Sequence, residues 1–167
     1  MFMSKPKLFL FALLLLFLGA CRNEQNHHSS DCSLLSSGDY LIFGTYYGFC
    51  AGNCTSLYKL ADEVLLEDDI SYFEKDKVVS FKTVPLSSDK LIVAENLCEA
   101  FPLDKILNEA ETVGCPDCHD QGVVYLELKK NGQLRKWYVD PDANQSQVPD
   151  YLRNFVQNVK TTIEKLK

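Results

Sequence analysis

The chain lacks several features that would indicate a function directly. Its longest apolar run, Leu8 to Leu18, has 11 residues, whereas a helix that crosses a bilayer needs about 20. The sequence has no G-x-S-x-G, no H-E-x-x-H and no phosphate-binding glycine loop, so it carries none of these hydrolase, zinc-protease or nucleotide-binding motifs. It also has fewer basic than acidic side chains, 17 against 23. The informative features that remain are the short apolar run, the cysteines and the periodicity of the chain.

The short apolar run has the properties of a signal-peptide core. Lys5 and Lys7 precede it, and it lacks the polar face that a buried core helix would carry. It ends in the letters LGAC, Leu18 to Cys21, and this ending resembles the lipobox of bacterial lipoproteins. The resemblance implies cleavage before Cys21 and a diacylglyceryl group on its sulfur, so that residues 1–20 are a signal peptide. Because each buried methylene contributes about 0.8 kcal/mol, two or three acyl chains hold a protein stably on a membrane.

The residues that follow bear on location and domain organisation. Arg22 stands where an aspartate would resemble the signal that retains lipoproteins on the inner membrane. The cell envelope is therefore the expected location, and the outer membrane is favoured if the host has one. We interpret residues 21–38 as a polar tether and residues 39–167 as a single domain. The alternative is an ordinary secreted protein in which Cys21 is fortuitous.

The charge of the mature chain limits its partners. Removal of residues 1–20 takes away two of the 17 basic side chains and leaves 15 against 23 acidic ones, a net charge near −8. Because nucleic acid and anionic lipid surfaces both bind basic patches, we expect neither as a partner. We expect only the acyl chains to touch the bilayer, and we predict no cofactor. An envelope protein or a small ligand remains as the expected partner.

Seven cysteines become six when Cys21 carries a lipid. An even number in an oxidising compartment indicates disulfide bonds, although six cysteines allow 15 connectivities. In the loop-entropy model, a bridge within about four residues stabilises the fold by roughly 2 kcal/mol, and a bridge across about 62–69 residues by roughly 4 kcal/mol. Long-range bridges that link Cys50 or Cys54 to Cys115 or Cys118 would therefore stabilise the fold more than short ones. The six candidates are Cys32, Cys50, Cys54, Cys98, Cys115 and Cys118.

The letters GCPDCHDQG around Cys115 and Cys118 permit three kinds of chemistry. A redox centre of the C-x-x-C type opens a helix, whose N-terminus stabilises the thiolate; here a helical pattern precedes Cys115 and a strand pattern follows Cys118. A structural zinc site would combine these two residues with Cys50 and Cys54, but an oxidising compartment favours disulfides. We therefore favour structural disulfides, with the pairs left open.

Two other groups have the composition of metal ligands. The segment DPDANQS, residues 140–146, alternates oxygen-bearing side chains like the start of an EF-hand loop. Gln145 and Tyr151 replace the glycine and glutamate that such a loop requires, so we interpret the segment as an aspartate-rich turn. His27 and His28 in the tether are interpreted as solvated residues. We therefore predict no metal site.

The periodicity of the chain predicts an α+β domain. Aromatic and β-branched residues predict a strand near residues 40–47, a hairpin over 56–69 and a fourth strand over 77–86. A helical stripe predicts a helix over 87–101, with a short second helix over 103–111. Residues 123–139 alternate around Asn131-Gly132, which is a hairpin signal, and a final helix follows Pro149. Strands grouped in blocks favour a mainly antiparallel sheet with helices on one face.

Three segments together carry a resemblance to a known group. The letters GFCAGNC followed by YKL, GCPDCHDQG before a hairpin, and a closing P-x-x-L helix are similar to a group of small bacterial lipoproteins of unassigned function. The resemblance spans about Tyr40 to Leu166; it implies a scaffold fixed by cysteines and glycines and gives no catalytic residues to carry over to this chain. The favoured hypothesis is a lipid-anchored, non-enzymatic module that binds an envelope protein or a small ligand. The alternative is an envelope thiol–disulfide oxidoreductase that uses Cys115 and Cys118.

Overall fold

The computed structural model describes residues 32–75, 77–142 and 147–167. The predicted signal peptide, Cys21, His27 and His28 lie outside these ranges, and so does the predicted tether up to residue 31. Within the described ranges, no helix is both long enough and apolar enough to cross a membrane.

Six strands and three helices make up the described part of the chain. They are, in order, β1 (Tyr40–Tyr46), β2 (Thr55–Ala61), β3 (Val64–Glu67), α1 (Ser88–Glu99), α2 (Leu103–Ile106), β4 (Thr112–Val113), β5 (Val123–Lys130), β6 (Gln133–Val139) and α3 (Asp150–Leu166). The strands form one sheet in the order β3-β2-β1-β5-β6-β4. Neighbours are antiparallel except β4 and β6, which run parallel. The predicted α+β class, with a mainly antiparallel sheet and a C-terminal helix, is confirmed.

Both predicted hairpins form, and their turns have the same backbone conformation. Asp62 and Glu63 join β2 to β3 with φ angles of 45° and 60°, and Asn131 and Gly132 join β5 to β6 with φ angles of 51° and 77°. Two successive residues of positive φ define a type I′ turn, whose twist matches that of the strands beside it. The second turn uses the favoured Asn-Gly pair, whereas the first adopts the conformation without glycine.

Helices α1 and α3 pack on one face of the sheet and form the main core with it. The predicted alternation of β5 is confirmed, because Val124, Leu126 and Leu128 belong to this core while Val123 and Tyr125 face the other side. The predicted final helix is α3, and its apolar stripe is buried along its whole length; the stripe consists of Leu152, Phe155, Val156, Val159, Ile163 and Leu166. The helices therefore cover the sheet as the sequence pattern indicates.

The opposite face of the sheet is covered by the segment that follows β3. The ring of Phe73 lies 4.2 Å from that of Tyr46 and 4.9 Å from that of Tyr125, measured between centroids. On the same face, buried Glu127 accepts hydrogen bonds from the hydroxyls of Tyr40 (2.7 Å) and Tyr125. Burial, and then these hydrogen bonds, raise the pKa of both tyrosines. This second face is thus an aromatic layer around one carboxylate.

The predicted fourth strand over residues 77–86 does not form. The segment runs beside β3 and the residues after it, where it forms one isolated bridge, Asp68 to Phe81. The N–H groups of Lys82 and Leu86 donate to β3, the carbonyl of Ser80 accepts the N–H of Asp69, and the Lys82 side chain binds Glu67. Val79 and Phe81 are half-buried while Val78, Ser80 and Lys82 are exposed, so burial alternates over these few residues although no regular ladder forms. Strand β4 was not predicted, because a two-residue strand has no periodicity to detect.

Candidate functional site

The six cysteines of the described residues form three disulfide bonds, which confirms the prediction of disulfides. The pairs are Cys32–Cys98, Cys50–Cys54 and Cys115–Cys118, with Cα–Cα distances of 5.8, 5.8 and 5.6 Å. The one long-range bridge therefore joins the start of the described chain to α1. Cys50 and Cys54 bond to each other and not to Cys115 or Cys118, contrary to the connection that the loop-entropy comparison favours. The site of predicted lipidation, Cys21, lies outside the described residues.

The two short disulfide loops lie at the same end of the sheet. Strand β1 ends at Tyr46, just before the Cys50–Cys54 loop, and β5 begins at Val123, just after the Cys115–Cys118 loop. Tyr46 and Val123 are partners in the antiparallel ladder between these strands. We call residues 47–54 and 114–122 together the cysteine-loop end. Cys32 precedes the start of β1 and therefore lies towards the opposite end of the sheet.

Asp117, between the two cysteines of the C-x-x-C segment, connects the two loops. Its carboxylate accepts the N–H of Gly48 at 3.0 Å and the N–H of Gly122 at 3.1 Å. Its own N–H donates to the carbonyl of Gly122 at 3.0 Å. A Cβ at position 48 would overlap the carboxylate of Asp117, so this close approach requires glycine. The aspartate in the motif is thus a structural link between the loops.

The buried carboxylate of Asp140 fixes the start of the same segment. Its oxygens accept the N–H of Cys115 at 3.1 Å, the N–H of Asp142 at 2.9 Å and the side-chain amide of Gln121 at 3.4 Å. Because Asp140 binds the backbone two residues on, as aspartates in turns do, this part agrees with the interpretation as a turn. Positions 144 and 146 of the calcium-like pattern lie outside the described residues.

The Cys115–Cys118 bridge is exposed, but its surroundings do not favour a thiolate. The N–H of Cys118 donates to the carbonyl of Cys115 at 3.3 Å in a turn, and the next regular element is a strand that begins at Val123. The helix N-terminus that stabilises reactive thiols of this type is therefore not formed by the residues after Cys115. The nearby carboxylates of Asp117 and Asp140 add negative charge, which opposes a second negative charge on sulfur. The geometry favours a structural bridge.

The four cysteines of the alternative zinc site are oxidised to disulfides. Cys50, Cys54, Cys115 and Cys118 are all in disulfides and offer no thiolate to a metal. Throughout the described ranges, no group of three or more His, Cys, Asp or Glu side chains is arranged to hold a metal ion. His119 is exposed, and its backbone N–H donates to the side-chain oxygen of Gln121 at 2.6 Å.

A cleft beside the cysteine-loop end was not predicted from the sequence. It has a volume of about 290 Å³ and lies between α3 and the ends of β1 and β5. Tyr47 and Ile163 supply apolar surface, and Lys160, Glu164 and Lys167 supply charged groups of both signs. Lys160 lies in α3, and Lys167 directly follows the last residue of that helix, Leu166. The seven-residue spacing of the lysines is visible in the sequence, but only the folded chain brings them next to Tyr47.

Comparison of the chain with protein-family models and with curated proteins finds no match. The resemblance of the leader to a lipobox, and of the cysteine-bearing segments to small lipoproteins, therefore stays a prediction from the residues themselves.

Proposed function

We propose that the protein is a lipid-anchored, non-enzymatic module of the bacterial cell envelope that binds a protein or a small ligand. One observation carries the proposal: six of the seven cysteines pair with one another. The seventh, Cys21, ends the lipobox-like letters LGAC directly after the predicted signal peptide. Three disulfides together with one cysteine at a cleavage site are the composition that a lipoprotein in an oxidising compartment would have.

The tether limits how far the domain would lie from its anchor. The 11 residue steps from Cys21 to Cys32 span at most about 36–40 Å when fully extended. Cys32 is buried and bonded to Cys98 of α1, so the end of the tether is fixed to the domain. Because the chain enters β1 from that end, the cysteine-loop end would project away from the point of attachment.

An envelope thiol–disulfide oxidoreductase is the second candidate, and the exposure of Cys115 and Cys118 favours it. Two contacts weigh against it. Asp117 and Asp140 bind the backbone of this segment through their carboxylates, and they hold the bridge in a turn without a helix N-terminus to stabilise a thiolate. We therefore assign the bridge a structural role in the proposal.

Palmitate labelling and envelope fractionation test the anchor. The full-length protein is expected to incorporate palmitate and to fractionate with membranes, whereas Cys21→Ala is expected to lose the label and to be released. The matched control is the double variant Cys50→Ala/Cys54→Ala, which also removes cysteines but leaves the leader intact, and it should keep the label. Persistent labelling of Cys21→Ala would overturn the anchor.

Thiol counting on the same purified, non-reduced protein tests the non-enzymatic part. We expect no free thiol, and disulfides that resist mild treatment with glutathione. A labile Cys115–Cys118 bridge with disulfide-reductase activity, lost in Cys115→Ala but kept in the Cys50→Ala/Cys54→Ala control, would establish the oxidoreductase instead.

A further inference from the structure

Phe49 is a large apolar residue that the fold leaves in water. It is 88% exposed, and Tyr47 and Tyr72 are 43% and 55% exposed. The hydrogen bond from the N–H of Cys54 to the carbonyl of Ser71, at 3.0 Å, brings residue 72 next to the loop that carries Phe49. We call Tyr47, Phe49 and Tyr72 the aromatic tip. Because removal of apolar surface from water is favourable, covering this end of the sheet stabilises the complex that covers it.

The loop that carries Phe49 is already ordered by contacts within the domain. The Cys50–Cys54 disulfide closes the loop, and the N–H of Tyr47 donates to the carbonyl of Cys54 at 3.0 Å. The carboxylate of Asp117 accepts the N–H of Gly48. Ordering a flexible loop on binding costs conformational entropy, and a loop that is ordered beforehand avoids part of that cost. Aromatic residues on such a surface are typical of the centres of protein interfaces.

The surroundings of the aromatic tip are acidic on the side of the loops. Residues 47–56 and 114–122 contain two aspartates, Asp117 and Asp120, and neither lysine nor arginine. Asp120 is exposed, while Lys160, Glu164 and Lys167 line the cleft on the helix side of Tyr47. Asp69 shares a second cavity with Lys82 and Lys167, which offset its charge. The negative charge repels anionic lipid and the identical tip of a second copy, and it attracts a surface with a basic rim.

We propose that the aromatic tip docks into a folded envelope protein that presents an apolar pocket with lysine or arginine side chains at its rim. The inference rests on the proposed function, since it names the class of partner that the anchored module binds. Phe49 enters the pocket, and Asp120 faces the basic rim. The tip lies at the end of the sheet remote from Cys32, so the tether leaves it accessible.

Photocrosslinking in the intact envelope tests the inference on the full-length, anchored protein. p-Benzoylphenylalanine replaces Ala51, an exposed residue of the same loop, or in a control replaces exposed Val78. We expect one protein adduct from position 51 only, whose crosslinked peptide has apolar residues beside lysine or arginine. Phe49→Ser should lower the adduct yield about tenfold, which corresponds to about 1.4 kcal/mol of lost contact. Asp120→Lys should lower it several-fold, and Val78→Ser should leave it unchanged.

Several results would overturn the inference. They are equal adducts from positions 51 and 78, an adduct only with phospholipid or with a second copy, no adduct at all, or a yield that Phe49→Ser does not change. Phe49 and Asp120 are exposed, so the unfolding midpoints of their variants should match that of the wild type, which separates a lost contact from a lost fold. Palmitate labelling of the same samples separates the two proposals: label without adduct overturns only the docking surface, and adduct without label overturns only the anchor.

Discussion

Glu63 and Gly132 occupy equivalent positions in the two hairpin turns, where both have left-handed φ angles of 60° and 77°. An L side chain in this conformation costs about 1–2 kcal/mol, whereas glycine has no Cβ to clash with its own backbone. The β2–β3 turn therefore carries a local cost that the β5–β6 turn avoids. The pairing of Leu60 with Leu65 and of Ala61 with Val64 holds the first turn in place.

Exchanging the two residue types tests this difference. Glu63→Gly is expected to raise the free energy of unfolding by about 1 kcal/mol, and Gly132→Ala to lower it by about 1 kcal/mol. No atom lies within 4 Å of a Cβ built at Gly132, so that variant isolates the backbone effect. Urea unfolding followed by circular dichroism measures both. Destabilisation by Glu63→Gly would show that the glutamate side chain contributes more than its conformation costs.

The residues of the cysteine-loop end are predictable from the sequence only in part. The sequence predicts that the cysteines pair, because the predicted leader would place an even number of them in an oxidising compartment. The roles of Asp117 and Asp140 were not predicted, because their hydrogen-bond partners Gly48 and Cys115 are 69 and 25 residues away in sequence. Such contacts exist only once β1, β5 and β6 have paired. The exposure of Phe49 is hidden from the sequence for the same reason.

The three disulfides close loops of very different length, with sequence separations of 66, 4 and 3 residues. In the loop-entropy model, Cys32→Ala/Cys98→Ala should lower the free energy of unfolding by about 4 kcal/mol. Removal of either short bridge by the corresponding double variant should lower it by about 2 kcal/mol. Urea unfolding under non-reducing conditions gives the three values. A larger loss from a short bridge than from Cys32–Cys98 would contradict the model.

The elements that the sequence predicts well are the long ones. Helix α3 has 17 residues and the β5–β6 hairpin spans Val123 to Val139, so each repeats its apolar period several times. Residues 77–86 alternate too, but the alternation covers few residues, and the aromatic layer that they partly cover needs only Val79 and Phe81 from them. The prediction of the fold class is correct although the fourth strand does not form, because the fold class depends on the order of the long elements.

At the scale of the molecule, buried tyrosines make stability depend on pH. Burial raises the pKa of Tyr46 to about 12 and that of Tyr58 to about 12. A folded-state pKa above the ordinary value near 10 means that folding favours the neutral hydroxyl. The resulting stabilisation is fully present below about pH 10 and is lost as the pH rises towards the folded-state pKa. Tyr40 and Tyr125, whose pKa values are also raised, act in the same direction.

The free energy of unfolding should therefore fall between about pH 10 and 12, by roughly 2–3 kcal/mol for Tyr58 alone. Tyr58→Phe removes one titrating hydroxyl, so its stability should fall less than that of the wild type across this range. Urea unfolding at each pH, with tyrosinate absorbance measured in parallel, checks the expectation. A variant profile as steep as that of the wild type would assign the loss to other groups.

The two edges of the sheet differ in how they would meet another chain. On the β3 side, the N–H groups of Lys82 and Leu86 bond to the carbonyls of Glu67 and Leu65, so the domain's own backbone occupies that edge. On the other side, β4 pairs with only the last two residues of β6. The earlier residues of β6 include Arg135 and Lys136, and charges at an edge oppose its growth by strand addition. The domain therefore resists fibril-like self-association at both edges, because its own backbone covers one edge and charged side chains line the other.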